Sequence, residues 1–447
     1  MKMMKGVTKM LFSKNDYFEY NGQKVEILDI LGEGGQGEVY LVNYGNEKLA
    51  FKYYKEIPSE DFKYNLRSNI SKGSPSSSFL WPKEYIEFND GSCGYLMDLR
   101  GKNYVSFVSY LTGTNKFKNK RIMLNWCIEL VKSFKLLHER GYSYQDLNDG
   151  SFFLDPETGK LLICDNDNVT ADKRNLGVLG KMRYMAPEIV RGDKDKNTGD
   201  RQMPDTHSDR FSLAIILFLA LCMGNPFEGE CLKKYVIIDE KAEYEMFGSN
   251  PVYIYNELDT SNRPIRGYHT AVLKKYPMLP SYIKEAFHRT FVDGLKDREN
   301  GRTTELEWVK LLCKYRDELI TCSCGHEYIY GFSEKKHNDK CPYCKKETRK
   351  FTYLHIGKYK VLLEPNKLLY EIHIDKYSAN YNTPIGRVIV NKNNPGLWGI
   401  MLRLDHDVLI KDKNGNEKTI AKDGVIPIIN GLKIKFNDSA IGEILTN

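Results

Sequence analysis

The chain has 447 residues, of which 41% are hydrophobic and 28% charged; this balance excludes a small disulfide scaffold, a collagen-like fibre and a wholly disordered chain, and the length predicts two to four domains. The net charge of +7, from 66 Lys+Arg against 59 Asp+Glu, is spread along the sequence, so nucleic-acid binding is not expected. The longest apolar stretch, residues 211–223, falls short of the ~20 residues that cross a bilayer and reads as a buried helix. No apolar segment follows the first lysines as a secretory signal requires. The expected location is cytoplasmic, with no membrane association.

From about residue 24 to 60, apolar and polar residues alternate between glycines, which predicts a small antiparallel sheet. Within it, Gly32-Glu-Gly34-Gly35-Gln-Gly37-Glu-Val39 matches a pattern whose glycines let backbone N–H groups approach phosphate oxygens. Alone it fits a plain glycine-rich turn equally well. The chain continues as a strand rather than opening a helix, which favours a hairpin folded over a nucleotide. Lys52, in the apolar run Ala50-Phe51-Lys52, is out of place unless its ammonium meets phosphates. The serine-rich patch 73–78 reads as a loop. Helical periodicity then dominates from about 121 to 320, with helices expected over 122–137, 209–223, 280–295 and 304–319. Between the first two lie Tyr144-Gln145-Asp146, the apolar strand 161–164 ending at Asp165, and Met185-Ala-Pro-Glu188. Two acids at separate loop and strand ends suit a proton acceptor and a magnesium ligand.

In order and spacing these motifs resemble the eukaryotic-like Ser/Thr protein kinases, especially bacterial ones, over residues 24–316. The resemblance implies a small lobe of about 24–100, a large lobe of about 101–316, and phosphorylation of protein Ser/Thr hydroxyls with ATP and Mg2+. It implies that the glycines cover ATP, that Lys52 contacts its α/β-phosphates, that Asp146 is the base and that Asp165 holds magnesium. Val39, Ala50 and Phe153 would sandwich adenine, Met97 would be the gatekeeper, and Glu188 would pair with Arg302. Where this sequence departs from the pattern, Ser151 takes the second magnesium-binding position and Asn166-Asp167 replace Phe-Gly after Asp165. No acid stands at the usual distance to partner Lys52; the candidates are Glu56, Glu60 and Asp61. Asn148 replaces the catalytic-loop lysine while Lys181 replaces a threonine of the activation segment, so Lys181 is expected to deliver the missing charge to the γ-phosphate. Gln145 replaces the arginine that clamps a phosphorylated activation loop, and activation without loop phosphorylation is expected. These departures leave a second reading, an inactive pseudokinase scaffold.

Cys322-Ser-Cys324 and Cys341-Pro-Tyr-Cys344 form two thiolate pairs that could grip one tetrahedral zinc ion, with His326 or His337 as substitutes for one ligand. The second pair resembles a zinc-ribbon knuckle, and residues 317–350 are expected to form that module, its basic run (Lys335, Lys336, Lys345, Lys346) a solvated face. Residues 351–447 alternate in short segments between Asn414-Gly415, Asp423-Gly424 and Asn430-Gly431, at the spacing of a β-sandwich. Ile385-Gly-Arg387 and Asn430-Gly-Leu-Lys-Ile434 give it a faint likeness to forkhead-associated domains. The resemblance to bacterial kinases makes a protein phosphatase and a von Willebrand A protein conceivable partners. The expected architecture is therefore α+β: a two-lobed kinase fold, a small zinc ribbon and an all-β sandwich.

Overall fold

The computed structural model describes residues 12–447 except 175, 178, 179, 196, 197, 333, 335, 336, 376, 379 and 382; Lys335 and Lys336 of the basic run lie outside the described residues. A six-stranded antiparallel sheet comes first, with β1 (Tyr17–Tyr20), β2 (Gln23–Glu33), β3 (Gly37–Tyr44), β4 (Glu47–Tyr54), β5 (Pro82–Glu87) and β6 (Cys93–Met97) in the order β1-β2-β3-β4-β6-β5. Alternation puts Val25, Ile27, Val42, Phe51 and Leu96 into one buried face. The other face is covered by α1 (Glu60–Lys72), whose Phe62 and Leu66 pack on Tyr54, Cys93 and Tyr95. Ser59 starts this helix by accepting from the Phe62 N–H, and Gly73 ends it at φ 71°.

The large lobe is built round two helices. In α2 (Lys120–Glu139), capped by Asn119, one face is buried. In α3 (Thr206–Cys222), apolar residues run all round, and such a helix lies inside rather than on the surface. A capping box between Asp205 and Ser208 fixes where α3 begins. Residues 280–295 hold a shorter regular helix than the periodicity predicts: α4 (Ser281–His288) runs into a wider turn over Arg289–Asp293. Helix α5 (Glu305–Asp317), with its own Thr304/Glu307 capping box, packs against α2. The short antiparallel strands β7 (Phe152–Leu154) and β8 (Leu161–Ile163) form the floor beneath the small lobe. Among the described residues no helix is long and apolar enough to cross a membrane.

Beyond α5, β9 (Leu319–Thr321) pairs with β10 (Glu327–Ile329), and Ile320, Tyr328, Phe351 and Leu362 make a small core round Cys341. The rest is all β: β11 (Thr352–Ile356), β12 (Tyr359–Leu362), β13 (Leu368–Tyr370), β14 (Pro384–Val390), β15 (Trp398–Leu402), β16 (Val408–Lys411), β17 (Glu417–Ile420), β18 (Val425–Pro427), β19 (Lys433–Asn437) and β20 (Ala440–Thr446). They form a six-stranded sheet, β12-β11-β20-β19-β16-β17, and a four-stranded one, β13-β14-β15-β18. Val361, Val388, Ile400, Ile426, Ile434 and Ile444 are fully buried between them. Residues 371–374, whose sequence alternation continues that of Leu368–Tyr370, form a single helical turn instead of lengthening the strand. His373, on that turn, bonds Asp317 at the end of α5 at 2.8 Å, and Lys367 bonds the same carboxylate at 3.0 Å. The Tyr381 hydroxyl reaches Glu129 of α2 at 2.6 Å, and the other oxygen of Glu129 accepts from Ser78 at 3.2 Å.

Candidate active site and cysteine centre

The roof of the interlobe cleft is the β2-β3 hairpin. Its turn closes with Gly34 N–H donating to Gly37 C=O at 2.8 Å. A Cβ on Gly37 would stand 2.3 Å from the Tyr53 carbonyl oxygen, so only glycine lets β3 pass β4 there, whereas Cβ atoms on Gly32 or Gly35 would meet nothing within 4 Å. The hairpin thus leaves room beneath its backbone for a ligand's oxygens. β4 presents Lys52 directly opposite Val39, and Ala50 opposite Met97 of β6. Phe153 of β7 closes the floor, and the Arg100 guanidinium lies 4.2 Å over its ring. The four glycines, Val39, Ala50, Lys52, Met97 and Phe153 all line this cavity of about 1300 Å³, together with Asp146, Asp165 and Lys181.

The two aspartates owe their places to the large-lobe core. The Tyr144 N–H donates to Asp209 of α3 at 2.7 Å, which pins the segment before Asp146. Gln145, at φ 71°, and Asp165, at φ 55°, are both left-handed, a conformation that costs a non-glycine residue energy and is held by its surroundings. Partial desolvation by the cleft walls pushes both carboxyls above the usual range, although the Asp165 side chain still opens to solvent; Asn148, hydrogen-bonded to Asp146 at 3.0 Å, and the Lys181 charge pull Asp146 back, while Lys52, 3.6 Å away, does so for Asp165. Lys181 lies beside the residue that displaced the catalytic-loop lysine: its Nζ is 3.3 Å from Asn148 Oδ1 and 4.0 Å from Asp149. Ser151 does not join them. It is 1% exposed and absent from the cleft lining, because its backbone is tied to Asn148 and Cys164, so the second magnesium position expected there is turned into the protein. Asn148 and Asn168 line the cleft instead.

Lys52 is 6% exposed. Its Nζ lies 2.7 Å from Asp167 Oδ2, which also accepts from the Tyr54 hydroxyl at 2.6 Å. Burial lowers the Lys52 pKa, but Asp167 and then Asp165 more than reverse this, leaving it raised. The candidates Glu60 and Asp61 face away, paired with Lys63 at 3.0 Å and Arg174 at 3.7 Å. Sequence reasoning missed Asp167 by searching the helix for an acid, and its position two residues after Asp165 does not by itself mark it as the partner of Lys52. Thr170, the one threonine of the segment, is fully buried and shares with the Arg174 carbonyl a hydrogen bond from Gln145. Glu188 and Arg302 form two parallel hydrogen bonds of 2.8 Å, which locks the end of the activation segment to the lobe.

The four thiols of Cys322, Cys324, Cys341 and Cys344 lie within 4.8 Å of one another, with Cys322 to Cys344 at 3.5 Å and Cys324 to Cys341 at 3.8 Å. A tetrahedron of sulfurs about 2.3 Å from zinc has edges of about 3.8 Å, so the donor set fits that ion. Neither histidine belongs to that set of four: His326 borders it, its Nδ1 3.6 Å from Cys324 Sγ and its ring stacked on Tyr343, and His337 bonds the Gly331 carbonyl at 2.9 Å.

A glycine-roofed cleft with a buried lysine and two carboxylates is the architecture of a phosphoryl-transfer enzyme. The description of the protein kinase domain matches residues 25–260, more than half of the chain, and the chain belongs to the protein kinase family. It is similar to protein kinase YegI of Escherichia coli K12, with 22% identity over 339 residues covering 73% of this chain and 49% of that protein. Human serine/threonine-protein kinase Nek11 is 27% identical over 216 residues, covering 44% of this chain and 31% of Nek11. The chain thus spans about half the length, or less, of these relatives. Among solved structures, the autoinhibited serine kinase domain of the giant muscle protein titin aligns with TM-score 0.47 and 15% identity, covering 64% of this chain and 78% of that one.

Proposed function

We propose that the chain is an ATP- and magnesium-dependent serine/threonine protein kinase, in which residues 24–316 transfer the phosphoryl group, 317–350 form a structural zinc module and 351–447 an interaction domain. The observation that carries the reading is the convergence of Lys52, Asp146, Asp165 and Lys181 on one glycine-roofed cavity. The donor set fits a triphosphate with its divalent ion: a cationic lysine on one wall, a carboxylate with its side chain 58% exposed facing it, and open backbone above. Asp165 would hold magnesium, which when bound neutralises phosphate oxygens and favours in-line displacement. Asp146 orients the substrate hydroxyl and takes its proton as that oxygen bonds to the γ-phosphorus and the bond to the ADP oxygen breaks. Lys52 fixes the α/β-phosphates, and Lys181 places positive charge on the γ side in the role left by Asn148. The serine/threonine preference follows the relatives' names.

In the tail, the Gly386-Arg387 pair that suggested a forkhead-associated likeness sits inside β14, and Arg387 is engaged by Asn366 at 2.5 Å. We therefore assign the domain to protein binding in general; the bacterial resemblance names a phosphatase or a von Willebrand A protein as the kind of partner. Transfer of radiolabelled phosphate from ATP to protein, by the wild type and by Asp146→Ala, tests the reading. Label on serine and threonine in the first and none in the second is expected. Equal or absent labelling by both would leave the scaffold as the better account.

A further inference from the structure

A buried charge is tolerated only with a partner, and breaking such a pair by removing one member is strongly unfavourable. In protein kinases the phosphate-binding lysine takes that partner from a glutamate on the helix of the small lobe. Here α1 occupies the helix's place but offers Lys52 only the apolar Phe62 and Leu66, through Tyr54 and Tyr95. Its acids are 81% and 82% exposed and engaged elsewhere. Asp167, 0% exposed, makes the contact. It belongs to the turn Asn166–Asn168, which begins at the left-handed Asp165 and is fastened beneath by Asn166, whose Nδ2 donates to the Leu80 and Ile163 carbonyls at 2.8 Å each. α1 reaches this segment through neutral groups: Asn65 and Asn69 both donate to the Val169 carbonyl at 2.8 Å.

We propose that Asp167, rather than any residue of α1, is the positioning residue for Lys52, so that one short segment sets both the phosphate-binding ammonium and the metal-facing carboxylate of Asp165. This deepens the kinase reading and rests on it. Because α1 supplies neither member of the ion pair, the pair breaks when the Asp165–Val169 segment moves relative to β4, and movement of that segment disables both groups together. The charge that other kinases make and break by swinging a helix is here built into the floor of the site.

The test compares adenosine with ADP, with and without magnesium, by calorimetry on the full chain. Adenosine reports the base pocket alone, and ADP adds the phosphates that Lys52 meets. Asp167→Ala is expected to weaken ADP about tenfold while leaving adenosine unchanged, and Asp167→Asn, which keeps an acceptor oxygen, to weaken it less. Glu60→Gln and Asp61→Asn are expected to change neither. In a Lys52→Met background, Asp167→Ala is expected to add nothing further, because the pair acts as a unit. The proposal is overturned if Glu60 or Asp61 matters as much as Asp167, if adenosine and ADP weaken together, or if the effect persists without Lys52. A wild type that binds neither ligand would refute the kinase reading itself, and this inference with it.

Discussion

Lys181 offers the sharpest test of the catalytic geometry, because its charge can be moved. Its ammonium lies 3.3 Å from Asn148 Oδ1, and that amide is in turn 3.0 Å from Asp146. A charge delivered from position 148 would therefore fall in the same space as one delivered from position 181. Two unit charges 4 Å apart interact by about 4 kcal/mol at an effective dielectric of ~20 and about 1 kcal/mol in water. With its side chain 62% exposed, Lys181 belongs nearer the aqueous limit, and about 2 kcal/mol of transition-state stabilisation corresponds to roughly 30-fold in kcat. Lys181→Ala should lower kcat by about that factor with little change in KM for ATP, since the stabilised charge develops only during transfer. Asn148→Lys in the Lys181→Ala background should recover most of the loss. Steady-state phosphorylation of a generic acceptor protein at fixed magnesium measures both. A Lys181→Ala enzyme within twofold of wild type would refute the assignment, as would a double variant no better than the single one.

Burial pushes the Glu188 carboxyl up, but the charge and hydrogen bonds of Arg302, then Arg298, hold it at about 2. Its contribution, about 3 kcal/mol, is thus present above pH 4.5 and lost as pH falls from there through 2. Urea denaturation of wild type and Arg302→Met across that range should show the variant less stable by about 3 to 5 kcal/mol near neutrality, and nearly equal to wild type near pH 2. At the alkaline end, burial lowers the His138 pKa, but Asp209 and Glu305 more than reverse this and bring it to about 9. Stability from this group is whole below pH 6.5 and declines as pH rises through 9, and His138→Gln should flatten that limb. Thr170→Ala should leave phosphorylation within a few-fold of wild type, whereas a requirement for phosphothreonine at 170 would contradict its burial. One zinc per chain should be found by elemental analysis, and Cys341→Ser should lose it along with protection of Tyr328 and Phe351 in hydrogen exchange.

Most of the cleft could be read from the sequence because each part carries a local constraint. Glycines mark the hairpin, an out-of-place charge marks Lys52, and strand ends mark the aspartates; none needs knowledge of a distant residue. The partner of Lys52 could not be found this way. Asp167 is 115 positions from the lysine, and nothing in its neighbourhood distinguishes a carboxylate that points at a metal from one that points at an ammonium. Ser151 failed for a related reason: counting five residues past Asp146 finds a position but not its direction, and the backbone bonds to Asn148 and Cys164 turn it inward. In the tail, turn signals fixed the strands well, yet at Asp423-Gly424 the left-handed residue is Asp423, φ 61°. At 371–374, contact with α5 through His373 outweighed the strand-like alternation.

The carboxylate of Glu129 is shared between Ser78, on the strip that runs from α1 to β5, and Tyr381 of the tail. Amputating the β-domain would therefore do more than remove an accessory. It would leave Glu129 with Ser78 alone and would take Lys367 and His373 from the buried Asp317, whose remaining cation is Arg316 at 3.4 Å. A recombinant fragment trimmed to the kinase motifs would carry that wound, and its kinetics would describe a different molecule.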